Sequence, residues 1–452
     1  MSGSEYQRLL DRDSRTAPPV LRAEQAPELG TEPIPAERYT SPEWAALERR
    51  HVWPKVWQLV CREEDIPDPG DVHVYEIVGL SILVVREGSG EVSAYYNSCL
   101  HRGRRLVDQS GHVGDLRCGF HGWTWSLDGA LKTLPCRHDF AHISDAELRL
   151  PRVQVGRWGG FIFINMDADA PPLLDYLGVL PDHFARWRLE ECYKAVHVAR
   201  VIDCNWKIAQ EAFMESYHVI ATHPQILPFF ADVTAEYDVY GPHVNRNLAA
   251  FAEPSPHLPA PSDKRTLIEG MLGLWGRPAP ANLDMEEATP ARAVLGDMAR
   301  RAFSKAAEID LDDATDAEMI DAIVYNVFPN FAPWGGFAPN IVYRWRPLGD
   351  APDRCIMEVM FLKRVPQGAP TPRGAPVRWL GENEAWANAP ELGALGSVID
   401  QDMSNMPDVQ LGLKSSGTGR VHLGRYMESR IRHFHATLGA YVRQGEESRA
   451  SA

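Results

Sequence analysis

Two cysteine and histidine pairs have the spacing that most directly predicts chemistry in this sequence. Cys99 is followed by His101, and after sixteen intervening residues Cys118 is followed by His121. Two thiolates and two imidazoles form a complete four-ligand set for a metal centre. Each pair lies among glycines, in NSCLHRG and RCGFHGW, where backbone N–H groups can approach a sulfur closely. We therefore expect two loops that hold one metal centre.

These four ligands suit either a structural zinc ion or a two-iron, two-sulfur cluster. The ligand order favours the cluster, because both thiolates can bind one iron and both imidazoles the other, a pattern that resembles a Rieske centre. Cys136 and His138 form another Cys-x-His, but no second half follows it. We interpret Cys136 as a non-ligand, a small buried hydrophobe like the cysteines at 61, 192, 204 and 355.

A second metal site is predicted in the segment 205–224, NWKIAQEAFMESYHVIATHP. On a helical wheel it separates into two stripes. The apolar stripe is expected to face the core and contains Trp206, Ala209, Phe213, Tyr217 and Ile220. The opposite stripe contains Glu211, Glu215, His218 and Thr222. We therefore expect a long helix from Trp206 that places acidic and imidazole groups on one face.

His218 and His223 can bind one metal only if this helix bends between them, because they lie about 140° apart on an ideal helix. Pro224 provides the reason, since the residue before a proline is pushed out of the helical region. The helix is thus expected to end near His223. Two imidazoles and one carboxylate would then form the facial triad that leaves three positions on iron(II) free for dioxygen and substrate.

The carboxylate is expected from the segment SVIDQDMSNMPDVQLGLKSS. Asp402 shares a helical face with apolar side chains, whereas Asp400 lies on the side of Ser404 and Asp408. A carboxylate on an apolar face needs a cation or donors to offset its desolvation, so Asp402 is the predicted ligand.

The elements that position these residues form three parts. The 452-residue chain is 44% hydrophobic, with a net charge of -15 that argues against a nucleic-acid partner. Residues 1–54 read as a loosely held arm followed by a helix that packs with the catalytic domain, residues 55–165 as a small all-β domain, and residues 166–452 as a larger α+β domain. A stretch rich in proline and alanine, about 241–316, is expected to border the active site. No apolar span or signal peptide appears, so we expect a cytoplasmic protein with no membrane contact.

Together these motifs resemble the α-subunits of Rieske non-haem iron oxygenases, the ring-hydroxylating dioxygenases and their monooxygenase and demethylase relatives. The likeness covers nearly the whole chain through CLHRG, CGFHGWTWSLDGAL, GRWGGFIFINMD, NWK with ESYHVIATH, VFPNF and DVQLGLKSS. It implies an α+β fold with a small all-β Rieske [2Fe-2S] domain and a larger catalytic domain with an antiparallel sheet and helices. It also implies cluster ligands at Cys99, His101, Cys118 and His121, and iron ligands at His218, His223 and Asp402.

The resemblance further implies that Glu215 bridges, across a subunit boundary, between a cluster histidine and His218. A homotrimer is then the expected minimum, fed with NAD(P)H electrons by a separate reductase or ferredoxin, and the resemblance leaves open whether a β-subunit is added. The expected reaction is hydroxylation of a small, aromatic substrate with dioxygen at a mononuclear Fe(II). The alternative is oxidative N- or O-demethylation, or monooxygenation of a quaternary-ammonium or other non-aromatic substrate, which a glutamate at position 215 favours slightly. A plain Rieske electron carrier and a zinc-stabilised interaction protein are the rival classes.

Overall fold

The computed structural model describes residues 3–26, 28–280, 283, 286, 288–338 and 340–450. Its strands are β1 Ile34–Pro35, β2 Gln58–Arg62, β3 Asp71–Ile77, β4 Leu80–Arg86, β5 Val92–Tyr96, β6 Gly111–His112, β7 Leu116–Arg117, β8 Thr124–Trp125, β9 Leu131–Thr133, β10 Arg152–Trp158, β11 Phe161–Asn165, β12 Cys192–Ile202, β13 Phe230–Tyr240, β14 Val244–Phe251, β15 Ala322–Val327, β16 Phe331–Pro333, β17 Ile341–Pro347, β18 Cys355–Arg364, β19 Arg378–Trp379 and β20 Arg420–Val421.

Its helices are α1 Gly3–Leu10, α2 Pro19–Arg22, α3 Glu37–Thr40, α4 Pro42–His51, α5 Leu173–Leu177, α6 Leu180–Phe184, α7 Trp206–Glu211, α8 Val219–Thr222, α9 Lys264–Leu274, α10 Ala291–Ala307, α11 Asp316–Ile320, α12 Ala394–Lys414 and α13 Ser429–Ala450. Within the described part of the chain, no helix is both long enough and apolar enough to span a bilayer.

The smaller region is built from β-strands, as the sequence predicts. A seven-stranded sheet has the order β2-β11-β10-β5-β4-β3-β6, and a separate three-stranded sheet has the order β7-β8-β9. Strand β11 is buried throughout, since its run of phenylalanine and isoleucine suits a strand covered on both faces. Gly159 and Gly160, both with positive φ, form the two-residue turn that pairs β11 with β10.

The larger region is formed by one eight-stranded sheet and the helices packed on it. The strand order is β13-β14-β15-β16-β17-β18-β12-β19, and every pair is antiparallel except β12 with β19. The predicted α+β fold with an antiparallel catalytic sheet is therefore confirmed. Helices α7, α8 and α12 carry the predicted iron ligands or lie directly beside them.

The N-terminal arm is anchored to the larger region, and the prediction that it is loosely held was wrong. Helix α1 contacts β13 and buries Tyr6, Leu9 and Leu10. Beyond it, Asp13 forms a buried ion pair with Arg292 at 3.0 Å. Proline and polar residues suggested mobility, but the buried arginines that hold this arm lie almost 300 residues away in the sequence.

Candidate active site

The four predicted cluster residues lie together in two loops of matching geometry. In each loop the N–H of the cysteine donates to a carbonyl five residues later, and a glycine N–H four residues later donates to the cysteine carbonyl. Those glycines, Gly103 and Gly122, both have φ of 76°. Such a conformation strains residues with a side chain, which accounts for glycine at both positions. Two equivalent loops thus present their ligands from opposite sides.

The cysteines lie inside and the histidines outside. Cys99 and Cys118 are both buried. The ring of His101 stacks on Trp123 and lies 4.6 Å from that of His121, which is exposed. This donor set fits a cluster whose outer iron faces the surface through its imidazoles.

Backbone donors also fit a negatively charged sulfur cluster. The N–H of Phe120 donates to Sγ of Cys118 at 3.5 Å. Burial raises the pKa of the Cys118 thiol, but the backbone hydrogen bond from Phe120, the interaction with Cys99, the backbone hydrogen bond from His121 and the charge of Arg104 together bring it below the ordinary value. The loop therefore favours the thiolate that a metal requires.

Cys136 is exposed, contrary to the prediction that it is a small buried hydrophobe. It occupies the left-handed region with φ of 55° at the start of a surface turn, which keeps its side chain out of the core. The other four non-motif cysteines are buried as predicted, at 61, 192, 204 and 355.

The structure also brings His218, His223 and Asp402 together. One ligand atom from each lies within 4.8 Å of the other two. The Oδ1 atom of Asp402 is 2.9 Å from Nε2 of His223 and 3.5 Å from Nε2 of His218. Metal bonds of about 2.1 Å at right angles place neighbouring ligand atoms about 3 Å apart. The distances therefore fit three ligands on one face of an iron ion.

Each histidine is oriented through its second ring nitrogen. Nδ1 of His218 lies 2.6 Å from Oε1 of Glu215, and Nδ1 of His223 lies 2.8 Å from Oε1 of Gln401. A proton on each Nδ1 leaves the Nε2 lone pair free for a metal. Burial lowers the pKa of His218, but its hydrogen bond with Glu215 and the charges of Glu215 and Asp402 raise it above the ordinary value overall.

The segment between the predicted ligands is not one bent helix but two short ones. Helix α7 ends at Glu211 and α8 begins at Val219. The predicted continuous helix was therefore wrong, and Tyr217, on its supposed core stripe, is 55% exposed. The cause lies at Glu215, whose Oε2 accepts from the backbone N–H groups of Tyr217 and His218. A side chain that binds nearby amides in this way competes with helical hydrogen bonding.

The predicted end of the helix near His223 is confirmed, since α8 stops at Thr222 and His223 leaves the helical region with φ of -125° and ψ of 50°. Of the two candidate carboxylates, Asp402 is the one that is buried and lies in contact with the histidines. Asp400 instead accepts from the backbone N–H groups of Trp386 and Ala387. Both acids lie on α12, but its two faces give them different partners.

Profiles of two protein families match this chain. The Rieske [2Fe-2S] domain matches residues 56–149, and the Ring hydroxylating alpha subunit (catalytic domain) matches residues 182–444, more than half of the chain. The chain belongs to the ring-hydroxylating α-subunit family of Rieske oxygenases. Both domain types of the family are present; the four predicted cluster ligands fall within the first match and the three predicted iron ligands within the second.

Individual relatives of this ring-hydroxylating α-subunit carry names of two substrate classes. The glycine betaine monooxygenase oxygenase subunit of Chromohalobacter salexigens is 35% identical over 201 residues, 44% of each chain. The large oxygenase component of the 2,4-dinitrotoluene dioxygenase system of Burkholderia sp. is 32% identical over 194 residues, 40% of this chain and 42% of that one. The matched segment thus spans less than half the length of these curated relatives.

Among solved structures, a quaternary ammonium Rieske monooxygenase in complex with L-carnitine has the same fold. Its TM-score is 0.63 at 16% identity, covering 93% of this chain and 99% of that one. Naphthalene 1,2-dioxygenase with bound indole has a TM-score of 0.60 at 20% identity, covering 92% and 93%. The α-subunit fold is therefore shared by oxygenases named for both substrate classes.

A cavity of about 490 Å³ opens onto the predicted iron ligands His218, His223 and Asp402. It is bordered by Met271 and Leu274 of α9 and by Trp275 directly after that helix, as predicted for the proline-rich stretch. Its aromatic lining residues are Phe213, Phe230, Phe251, Trp275, Trp334, Tyr343 and Phe361. Trp334 and Tyr343 belong to this lining, whereas the nearby Phe337 and Trp345 do not. Among the described residues that line it, none is lysine or arginine.

A second concavity of about 370 Å³ reaches the triad from the other side, and we call it the acidic hollow. Its lining includes Glu211, Glu215, Glu428, His218 and Asp402. Burial and the nearby charges of Glu215 and Glu211 raise the pKa of Glu428. Glu215 therefore borders both the cavity and the hollow, between the iron triad and the surface.

Three residues of the site escaped the sequence analysis. Gln401 orients His223, and Asn247 lines the cavity. Glu211 lines the acidic hollow, whereas the sequence placed it only on the polar stripe of a helix. Gln401 is next to Asp402 in the sequence, but neither spacing nor residue type distinguishes it. Only the approach of α12 to α8 shows its role.

Proposed function

We propose that the chain is the oxygenase component of a system that oxidises a small organic molecule with dioxygen. Cys99, His101, Cys118 and His121 would hold a [2Fe-2S] cluster, and His218, His223 and Asp402 a mononuclear Fe(II). The observation that carries this proposal is the pairing of the two sites in one chain, since an electron carrier has no use for the second. When bound, the cluster and the iron supply electron storage and dioxygen activation, with electrons from NAD(P)H through a separate reductase or ferredoxin.

We assign to Glu215 the role of holding the Nδ1 proton of His218 and of contacting a cluster histidine of an adjacent subunit in a homotrimer. Two features support this. Glu215 borders the acidic hollow, which opens outwards. His121 is exposed beside Phe120, which is 58% exposed and covered by the guanidinium of Arg102 at 4.5 Å. A basic, apolar edge at the cluster thus complements an acidic recess at the iron site.

We propose a quaternary-ammonium compound as the substrate, the alternative in the sequence analysis. The aromatic lining of the cavity supports it, because faces of Trp, Tyr and Phe attract such cations. So do the relatives named for glycine betaine and carnitine. Balanced, the reaction adds one oxygen atom to an N-methyl C–H bond, takes up two electrons and two protons and releases water. The resulting carbinol then breaks down to formaldehyde and a tertiary amine.

Ring hydroxylation of an apolar aromatic compound is the second candidate. It is favoured by the same cavity, whose lining is mostly apolar and contains no lysine or arginine among its described members. A flat hydrocarbon needs no polar partner and would fill it by contact alone.

Oxygen consumption with defined substrates tests the two candidates. The purified protein, supplied with a Rieske-system reductase and NADH, is offered methylated ammonium compounds and, separately, bicyclic and nitro-substituted aromatics. Formaldehyde release in proportion to oxygen uptake supports the first candidate. A product with two added oxygens on the ring supports the second. If no compound stimulates uptake although the iron-sulfur absorbance is intact, the proposed function is wrong.

A further inference from the structure

Arg430, near the start of α13, is a buried cation without a buried counter-charge bonded to it. Its side chain is fully buried, and among the described residues no carboxylate forms an ion pair with it. Nε donates to Oδ1 of Asn245 at 2.7 Å and Nη1 to Oδ1 of Asn247 at 2.7 Å. Nη2 has no partner within the part of the chain that is described. An unpaired charge in such a place is costly unless a ligand compensates it.

This guanidinium keeps its charge at neutral pH. Burial lowers its pKa to about 9, against the opposing effects of Tyr237, Asp238 and Glu215, none of which bonds to it. The guanidinium therefore remains protonated, and its positive charge lies on the same face of β14 as the cavity, one side chain away from it.

Asn247 connects that charge to the cavity. It lies on β14, where residues 247, 249 and 251 line the cavity at every second position. Because an arginine can only donate, its contact fixes Oδ1 of Asn247 on the side of Arg430. The Nδ2 group, a double donor, then has no hydrogen-bond partner among the described residues. A donor polarised by a neighbouring cation is suited to an anionic acceptor.

The other polar groups of the cavity do not offer this chemistry. Glu391, on the turn before α12, is negative and is paired with Arg378 at 3.0 Å. Tyr343 has a hydroxyl without a described partner, but burial, followed by the charge of Asp402, raises its pKa far above neutral, so it stays uncharged. Trp334 has a buried indole N–H without a described partner, but no cation is bonded to it. Among the described lining residues, Asn247 is thus the one that accepts from a fully buried guanidinium and also carries a free donor group.

We infer that the cavity binds a carboxylate of its substrate at Asn247, with Arg430 as the compensating charge. This inference rests on the proposed function, because it concerns the same cavity, and it narrows the substrate to a carboxylated molecule. For a quaternary-ammonium substrate this means a zwitterion, whose cationic methyl groups face the aromatic side chains and the iron triad while its carboxylate faces β14.

The test compares matched ligands by calorimetry with the iron-loaded protein and needs no redox partner. Glycine betaine and choline share a trimethylammonium group, but glycine betaine carries a carboxylate where choline carries a hydroxymethyl group. We expect glycine betaine to bind at least about tenfold more tightly. Asn247→Leu should weaken glycine betaine about tenfold and leave choline unchanged. Asn245→Leu is the matched control, because Asn245 also binds Arg430 but does not line the cavity.

Equal affinity for the two ligands in the unmodified protein, or equal weakening of both by Asn247→Leu, overturns the inference. So does an Asn245→Leu effect on discrimination as large as that of Asn247→Leu. If neither ammonium compound binds, benzoate and toluene are compared. A preference for benzoate then supports the carboxylate site while rejecting the ammonium substrate, and no preference rejects both. Turnover of choline without binding of glycine betaine retains the proposed function and rejects the carboxylate site.

Discussion

Glu215 makes the contacts that orient His218, so removing its side chain should lower the turnover rate more than it lowers the stability of the fold. Its carboxylate binds Nδ1 of His218 and two backbone amides. Replacing Glu215 by Ala should lower kcat about 10–100-fold, the usual effect of losing a residue that orients a metal ligand. Steady-state oxygen uptake and iron content are measured together. Unchanged turnover would contradict the role given to Glu215, and Glu211→Gln, also in the acidic hollow, is the control.

Asp402 and Asp400 offer a second comparison at the scale of single residues. Asp402→Ala should reduce bound iron by about one ion per chain while the iron-sulfur absorbance persists, because a facial triad needs its carboxylate. Asp400→Asn should retain that iron, since Asp400 only accepts from the backbone of Trp386 and Ala387. Metal analysis and visible absorbance decide the outcome. Equal iron loss in both variants would refute the choice between them.

At the scale of elements, the packing of α10 on α11 supports one wall of the cavity. A Cβ on Gly296 would lie 2.2 Å from Oδ1 of Asp316, which also binds Ser14 of the arm and Arg300. Gly296→Ala should therefore destabilise the protein by about 1–3 kcal/mol through overpacking.

Gly273, on α9, provides the matched control for that substitution. A Cβ there meets nothing within 4 Å. Gly273→Ala should be neutral or stabilise by about 0.5–1 kcal/mol, because alanine loses less backbone freedom in a helix. Urea unfolding of both variants checks the pair. A stable Gly296→Ala protein would show that the contact between α10 and α11 is loose.

The elements also show which parts of the site the sequence can reveal. Local spacing predicted both cysteine-and-histidine loops, because Cys99 and Cys118 each carry their own glycine turn. The end of α8 followed from Pro224. In contrast, the break after α7 depends on how one carboxylate bonds to nearby amides, and helical periodicity cannot detect that. Partners far apart in the sequence, such as Gln401 for His223, depend on how helices meet.

At the scale of the whole molecule, the junction between the arm and the sheet predicts a pH dependence of stability. Glu236 on β13 is buried, and Gln7 of the arm donates to it at 2.9 Å. Burial, then the charge of Asp238, raises its pKa from 4.5 to about 8. The folded state therefore holds a proton that the unfolded state has released, and the contribution of Glu236 to stability falls as pH rises from about 4.5 to about 8.

Glu236→Gln should remove this dependence. Relative to the unmodified protein, the variant should gain stability with rising pH across that window, by an amount on the order of 2 kcal/mol. Thermal unfolding at several pH values measures the difference. The exposed Glu269→Gln, from an ion pair with Arg265, should show no such trend. A constant difference between Glu236→Gln and the unmodified protein would contradict the prediction.

Contacts between residues far apart in the chain set the limit on what could be predicted from the sequence. The α+β class and the order of the two regions follow from strand patterns that are local. The anchoring of the arm does not, because Asp13 and Tyr6 bind Arg292 and Asp321, which lie 279 and 315 residues later in the chain. The role of Arg430 could not be predicted either, because its partners Asn245 and Asn247 are on a strand far from it in the sequence.

The interruption between α7 and α8 has a consequence for how such a sequence can diverge. Were His218 and His223 on one rigid helix, each inserted or deleted residue upstream would rotate both imidazoles by about 100°. Here the chain from Ala212 to Met214 is not helical, so the direction of α7 does not set that of the imidazoles. Because Phe213 lines the cavity and Met214 is buried, indels among descendants of this chain should fall outside residues 212–223.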